Sequence, residues 1–228
     1  WLPGLVVLPV LLLQNRRQDR QPSAPVNHAP LISNLGALVM GVGWLGWSLS
    51  QPFHTSGAIL DWTRIAVNIL VAMAGAVVTS QLYGWLITGR PQTLLAAQGL
   101  GAGWGAILAC APFIPTWAAL IVGLLAGLLF PLLHYAANVT LRIPDAALPA
   151  SLALSSGLLG VLGTALLADG RWGQGWNRMG ITAEGAVTGA GVMGIFVSGN
   201  AQQLSAQLLG LGALAVWGVL WGTVLGIL

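Results

Sequence analysis

The stretch PQTLLAAQGLGAGWGAILACAPFIPTWAALIVGLLAGLLFPLLHYAANVTL, residues 91–141, decides the fold because it contains no acidic residue, arginine or lysine. A helix crosses the hydrocarbon core of a bilayer in about 20 residues, so this stretch is too long for one span. Pro112 and Pro115 interrupt the helical hydrogen-bond ladder near its middle. The stretch therefore predicts two membrane helices, 92–111 and 116–139.

The composition of the whole chain extends this interpretation. Apolar residues make up 56% of the sequence and charged residues 6%, with a mean hydropathy of +0.83, whereas soluble domains carry about 25% charge. The formal charge of +3 arises from eight basic and five acidic residues. These few charges exclude an ordinary soluble domain and give no support for a nucleic-acid partner. Membrane lipid is the expected surrounding.

Uncharged runs on either side of this stretch predict the remaining helices. They indicate a partial helix over 2–14 and spans over 31–50, 65–89, 149–168 and 203–228. The glycine-rich segment 169–202 contains two arginines and one glutamate, which predicts a long aqueous outer loop. The expected fold is all-α: a single membrane domain over 1–228 with a bundle of about six transmembrane helices.

The arginines indicate which helix ends face the cytoplasm. If successive helices cross in opposite directions, five arginines fall on one side of the membrane and three on the other, and the richer side is expected to be cytoplasmic. The C-terminus then lies in the cytoplasm, and a bacterial inner or internal membrane is the expected location. The two groups are Arg16, Arg17, Arg20, Arg90 and Arg142 against Arg64, Arg171 and Arg178.

Glycines and neutral polar residues inside the spans predict close helix packing. Helices in lipid associate through small residues that let backbones approach, and through hydrogen bonds between side chains. We expect a tightly packed bundle with polar residues bonded between helices. Glycines four residues apart form the pairs 99/103, 101/105 and 123/127 and the run 218/222/226, and the polar residues are Asn34, Asn68, Gln81, Gln98, Ser155 and Ser156.

Groups that could perform catalysis or bind a metal do not cluster in the sequence. The histidines His28, His54 and His134 are far apart and have no neighbouring carboxylate or cysteine. No Ser/His/Asp arrangement or carboxylate pair occurs, so we expect neither an enzyme nor a metal or cofactor site. Ion carriers usually place ionisable residues within their spans, yet every acidic residue and arginine here falls in a loop or at a helix end.

Six motifs occur in the order of one known family. They are Gly43-Trp44-Leu45-Gly46-Trp47, Val67-Asn68-Ile69-Leu70, Thr88-Gly89-Arg90-Pro91, Ala111-Pro112-Phe113, Asp169-Gly170-Arg171-Trp172 and Gln207-Leu208-Leu209-Gly210. Together they resemble signatures of the ammonium transporter (Amt/Rh) family, and the first is similar to the Gly-Trp-Phe-Gly-Phe motif of its sixth helix. The chain thus resembles the C-terminal half of that family.

The resemblance implies an architecture and a set of partners. Members of the family are built from two inverted five-helix repeats with the pore between them, followed by a peripheral last helix. On this mapping residues 31–168 form the second repeat, 203–228 the last helix and 1–14 the end of the fifth helix. The implied partners are a first repeat or other membrane subunits, and a homotrimer is the expected assembly.

The same resemblance identifies three pore positions that depart from the family pattern. The family's second pore histidine falls on Ser156. The serine of its outer ammonium site falls on Gln51, and the second phenylalanine of its Gly-Trp-Phe-Gly-Phe motif falls on Trp47. Trp47 could offer a cation-π face, but a serine hydroxyl cannot accept a proton at neutral pH as an imidazole can.

Three functional hypotheses follow. The first is a family member that has lost conduction and serves as a structural or accessory subunit of a larger membrane complex. The second is part of a working ammonium channel with a variant pore. The third is the membrane part of an ammonium sensor. The substitutions at Ser156 and Gln51 favour the first.

Overall fold

The computed structural model describes residues 6, 9–10, 28–50, 62–136, 139, 148–171, 191–199 and 201–227. Within these residues the chain is helical, which confirms the predicted all-α fold. The helices are α1 (Ala29–Ser50), α2 (Trp62–Thr88), α3 (Thr93–Ile107), α4 (Thr116–Ala136), α5 (Leu148–Leu167), α6 (Ile195–Ser198) and α7 (Gln202–Ile227).

The six long helices coincide with six of the predicted spans. The predicted partial helix 2–14 lies outside the described residues except at positions 6, 9 and 10. In the part of the chain that the structure describes, α2, α4 and α7 are long and apolar enough to cross a membrane, and 30–46 and 151–167 form shorter apolar helices. The chain is therefore an integral membrane protein by the length and composition of its helices.

The expected break between α3 and α4 is present, but α3 ends earlier than predicted. It stops at Ile107 rather than at residue 111, and turns occupy residues 108–113. Pro112 lacks the N–H that would continue the ladder, and its ring disfavours helical backbone at the preceding residue. At the other end, α4 stops at Ala136, short of the predicted 139.

The helices alternate in direction, so that α1, α3 and α5 run parallel to one another. Near the start of both helices, the Asn34 side chain on α1 donates to the Thr93 carbonyl on α3 at 2.7 Å. Near the end of both, the Thr164 hydroxyl on α5 donates to the Ala109 carbonyl after α3 at 3.1 Å. Helix α3 lies at the centre and contacts α1, α2, α4 and α5.

Small residues bring α2 close to both of its neighbours. On α2, Ala72 and Ala76 are fully buried. A Cβ atom on Gly103 of α3 would lie 2.6 Å from the Ala72 carbonyl oxygen, and one on Gly123 of α4 would lie 2.6 Å from the Ala72 Cα. Because any side chain would collide with backbone there, glycine is required for these helices to approach as they do.

Loop backbone is tied to the bundle at the end where α3 and α5 finish, which we call the Arg64 end. The Asp169 N–H donates to the Phe113 carbonyl at 3.1 Å, and the Gly194 N–H donates to the Ala168 carbonyl at 2.8 Å. Phe113, Ala168 and Val192 form a small buried cluster. Residues 191–194 of the predicted outer loop are thus packed against the bundle.

Candidate functional site

A groove of about 490 Å³ runs between α1, α3 and α5. The groove lies where α1 and α5 pack on α3. It stays open because α1 contacts α3 closely but α2 very little. Its wall is mostly apolar. Its polar groups are the Ser33 hydroxyl, the Gln98 amide and the indole N–H of Trp104, whose buried Nε1 has no hydrogen-bond partner in the described part of the chain. The lining residues are Ser33, Gly36, Ala37, Met40, Gly41, Leu94, Ala97, Gln98, Leu100, Gly101, Trp104 and Leu152.

Two tryptophans meet where Trp104 closes this groove. The Trp44 ring on α1 and the Trp104 ring on α3 pack edge to face, with centroids 4.4 Å apart and an angle of 76° between their planes. Such aromatic pairs contribute about 0.5–1.5 kcal/mol beyond the area they bury. The pair therefore fixes α1 against the last turn of α3.

Ser156 lies on α5, against α3. Its side chain is 3% exposed, and its hydroxyl donates to the Leu152 carbonyl of the same helix at 2.7 Å. A Cβ atom on Gly105 would lie 2.7 Å from Ser156 Oγ, so the missing side chain at Gly105 creates the space that the serine fills. The hydroxyl thus satisfies its own donor within α5 and adds no charge to the site.

The other two positions that resemble pore residues fall at the end of α1. Trp47 belongs to the last turn of that helix, where the structure describes the backbone but not the side chain. Gln51 lies outside the described residues. The structure therefore gives no geometry that brings Trp47, Gln51 and Ser156 together, and their roles remain predictions.

Three of the six polar residues predicted to bond between helices do so, namely Asn34, Asn68 and Gln81. Ser155 and Ser156 bond within α5 instead, and Ser80, which was not predicted, bonds to α3. The Asn68 amide donates to the carbonyls of Ala111 and Ile114, each at 2.9 Å. The Ser80 hydroxyl donates to the Leu95 carbonyl at 3.3 Å, and Gln81 donates to the Gln92 carbonyl at 2.7 Å. These bonds satisfy donors that lipid could not. The role of these hydrogen bonds is to hold the helices together.

An ion pair that sequence reasoning missed holds the Arg64 end. Arg64 Nη2 lies 2.6 Å from Asp169 Oδ2, with side chains 12% and 16% exposed. Arg64 Nε also donates to the Ile114 carbonyl at 3.1 Å. The two residues are 105 positions apart, so only their shared location at helix ends could have suggested the contact. The pair links α2, the α3–α4 turn and the end of α5.

Metal chemistry finds no support in the described ranges, which contain no group of three or more His, Cys, Asp and Glu side chains that could hold an ion. Trp104 is one of the groove residues that sequence reasoning did not single out. The available signal was its size, since one tryptophan stands among small residues in Gly101-Ala-Gly-Trp-Gly105. The groove presents a mostly apolar wall with hydrogen-bonding groups at Ser33, Gln98 and Trp104.

Comparison with known proteins gives a consistent result. The family model described as Ammonium Transporter Family matches residues 2–228. Ammonium transporter Amt2 of Haloferax mediterranei is 29% identical over 206 residues, covering 86% of this chain and 45% of its own length. The ammonium transporter of Bacillus subtilis is 27% identical over 124 residues, which is 54% of this chain and 30% of that protein. The chain therefore spans less than half the length of each of these two relatives.

Solved structures share the fold. Candida albicans Mep2 superposes with a TM-score of 0.74 at 20% identity, covering 98% of this chain and 47% of that chain. A structure titled Sensor Amt Protein gives a TM-score of 0.70 at 19% identity, covering 99% of this chain and 51% of that chain. At these identities the match concerns the fold alone.

Proposed function

Because the chain belongs to the ammonium transporter family, we propose that it is a non-conducting member that acts as a structural or accessory subunit of a larger membrane complex. The family consists of transporters, in agreement with the expectation that the chain is not an enzyme. We further propose that the chain corresponds to the second half of the family fold. Its C-terminus then lies in the cytoplasm.

The burial and hydrogen bonding of Ser156 are the observation that carries this proposal. By resemblance this position holds a pore histidine in the family. Stripping the proton from ammonium requires a base that titrates near neutral pH, and imidazole has that property while a hydroxyl does not. Here the hydroxyl is also buried and bonded to the Leu152 carbonyl. The residue is therefore suited to helix packing rather than to proton transfer.

Transport by the purified protein in liposomes tests the proposal. An ammonium gradient is imposed across vesicles that enclose a pH-sensitive dye, and membrane current is recorded in parallel. We expect signals no larger than those of protein-free vesicles. The Bacillus subtilis ammonium transporter, reconstituted at the same protein-to-lipid ratio, serves as the positive control. Uptake comparable to that control would overturn the proposal.

A working channel with a variant pore is the second candidate. The names of the curated relatives favour it, since the Haloferax and Bacillus proteins are both called ammonium transporters. If the vesicles do conduct, Ser156→Ala tests whether the hydroxyl contributes to the path. A channel that uses Ser156 loses conductance in this variant, whereas a channel that uses other groups does not.

The sensor hypothesis has less support than the other two. The structure titled Sensor Amt Protein resembles this chain at 19% identity, which carries the fold but no function. A signalling domain encoded in the same reading frame would support a sensor. We therefore rank it below the other two.

A further inference from the structure

The groove between α1, α3 and α5 ends at Trp104. It begins where α1 and α3 begin, with Ser33 and the 39% exposed Leu94 in its wall. At 1.5 Å per residue, Trp104 lies about 15 Å further along α3 than Leu94. In the described part of the chain, no residue after Trp104 on α3 or after Gly41 on α1 lines the groove. The groove thus covers about half the thickness of a hydrocarbon core of about 30 Å and is then closed.

The ring of Trp104 fills a place that the rest of α3 leaves open. Every other residue of the segment 101–106 is glycine or alanine. The Trp44 ring on α1 packs against the indole with centroids 4.4 Å apart, so the two rings together span the gap between α1 and α3. Just beyond, α3 and α5 are in backbone contact, because a Cβ atom on Gly160 would lie 2.5 Å from the Ala106 carbonyl oxygen. Only the indole rings close the groove at its inner end.

The indole N–H of Trp104 forms no hydrogen bond within the described part of the chain, although Nε1 is buried. Leaving a buried donor unbonded costs about 1–3 kcal/mol. The buried amide of Asn68, by contrast, donates to two carbonyls. Trp104 is therefore held by the contacts of its ring rather than by a polar bond, and its size is what it contributes to the groove.

From these observations we infer that Trp104 is a steric plug that closes the groove to water and small solutes. A narrow apolar constriction excludes water by dewetting, and the paired rings form such a constriction. Trp104 is not one of the three positions that resemblance identified. The inference rests on the proposed absence of conduction and deepens it: Ser156 offers no proton acceptor, whereas Trp104 blocks passage itself.

Water permeability tests the plug, because water needs no proton acceptor in order to pass. The protein is extracted in mild detergent together with its membrane partners and reconstituted in liposomes. Stopped-flow light scattering after an osmotic step then gives the rate at which the vesicles shrink. We expect the wild-type protein to shrink no faster than protein-free vesicles.

Three substitutions reduce the ring stepwise. Trp104→Phe keeps an aromatic ring and removes the N–H, and it should leave the water permeability at the wild-type level. Trp104→Leu and Trp104→Ala should raise the permeability severalfold, with the alanine variant the higher of the two. Leu94→Ala is the matched control, because it widens the open end of the groove without touching the plug. It should leave the permeability unchanged.

The thiol of Cys110 reports whether the bundle stays intact in each variant. Cys110 is fully buried on the turn after α3, so it should resist labelling by a maleimide. A rise in permeability while Cys110 stays protected supports the plug. A rise that accompanies labelling of Cys110 means leakage through a loosened bundle and overturns the inference.

Three other results also overturn the inference. Unchanged permeability in Trp104→Ala means that the indole blocks nothing. A high value in Trp104→Phe means that the N–H rather than the ring size is decisive, and a high value in the wild type means that the groove is already open. Failure of the proposed function is seen separately, as ammonium conduction by the wild type. Ammonium conduction gained by Trp104→Ala would contradict the role given to Ser156 while leaving the plug supported.

Discussion

Replacing Gly123 with alanine should loosen the contact between α2 and α4. A Cβ atom at this position would lie 2.6 Å from the Ala72 Cα and 2.8 Å from the Ala72 carbonyl carbon. Carbon atoms pack at about 3.5–4.0 Å, so the two helices must separate by about 1 Å. The obstructing atoms belong to backbone, and no side chain can rotate away to relieve the collision.

The magnitude follows from two opposing terms. Overpacking a close-fitting core costs about 1–3 kcal/mol. Alanine is favoured over glycine inside a helix by about 1 kcal/mol, which offsets part of that cost. The expected net loss is about 0–2 kcal/mol, equivalent to a fall of up to about 8 °C in the unfolding midpoint of a chain of this size, and the loss relative to an alanine variant without the collision is about 1–3 kcal/mol.

Thermal unfolding in detergent micelles, followed by size-exclusion chromatography, measures the effect. Gly210→Ala on α7 is the matched control, because a Cβ atom there would meet nothing within 4 Å. That variant keeps the gain in helix propensity without the collision, so its midpoint should stay level or rise. Equal midpoints for the two variants would refute the claim that Gly123 is required for close approach.

Two further substitutions test the polar contacts by the same assay. Asp169→Asn should lower the free energy of unfolding by about 1–3 kcal/mol, because Arg64 loses a charged partner in a mostly buried site. The control Arg171→Gln changes an exposed residue and should have little effect. A comparable loss in the control would argue against a specific ion pair between Arg64 and Asp169. Asn68→Leu should cost about 1–3 kcal/mol, because it leaves the Ala111 carbonyl without its donor, whereas the Ile114 carbonyl still accepts from Arg64. Ser155→Ala, whose hydroxyl bonds only to its own helix, should cost less, and the reverse order would contradict the role given to Asn68.

The helices could be predicted from the sequence because the bilayer sets their length and composition. Uncharged runs of about 20 residues leave few alternatives, and Pro112 with Pro115 indicated where the longest run divides. Boundaries were less certain. The end of α3 was placed four residues too late, since hydropathy does not distinguish a helix from the apolar turn that follows it.

The site could be predicted only in part. Periodic glycines indicated close packing, but not that Gly103 and Gly123 approach the same residue of α2 from two sides. The pairing of Arg64 with Asp169 depends on three-dimensional proximity that no local pattern records. Resemblance singled out Ser156, whereas its confinement by Gly105 emerged only from the packing of α5 on α3.

The backbone ties at the Arg64 end have a mechanical consequence. There the α3–α4 turn, the end of α5 and residues 191–194 share main-chain hydrogen bonds, while α1 is joined to α3 at the opposite end by a side-chain bond from Asn34. Main-chain ties resist shear better than a single flexible side chain does. The Arg64 end should therefore be the more rigid end of the bundle, and α1, which a side-chain bond joins to the start of α3, should shift against α3 more easily than α5 does.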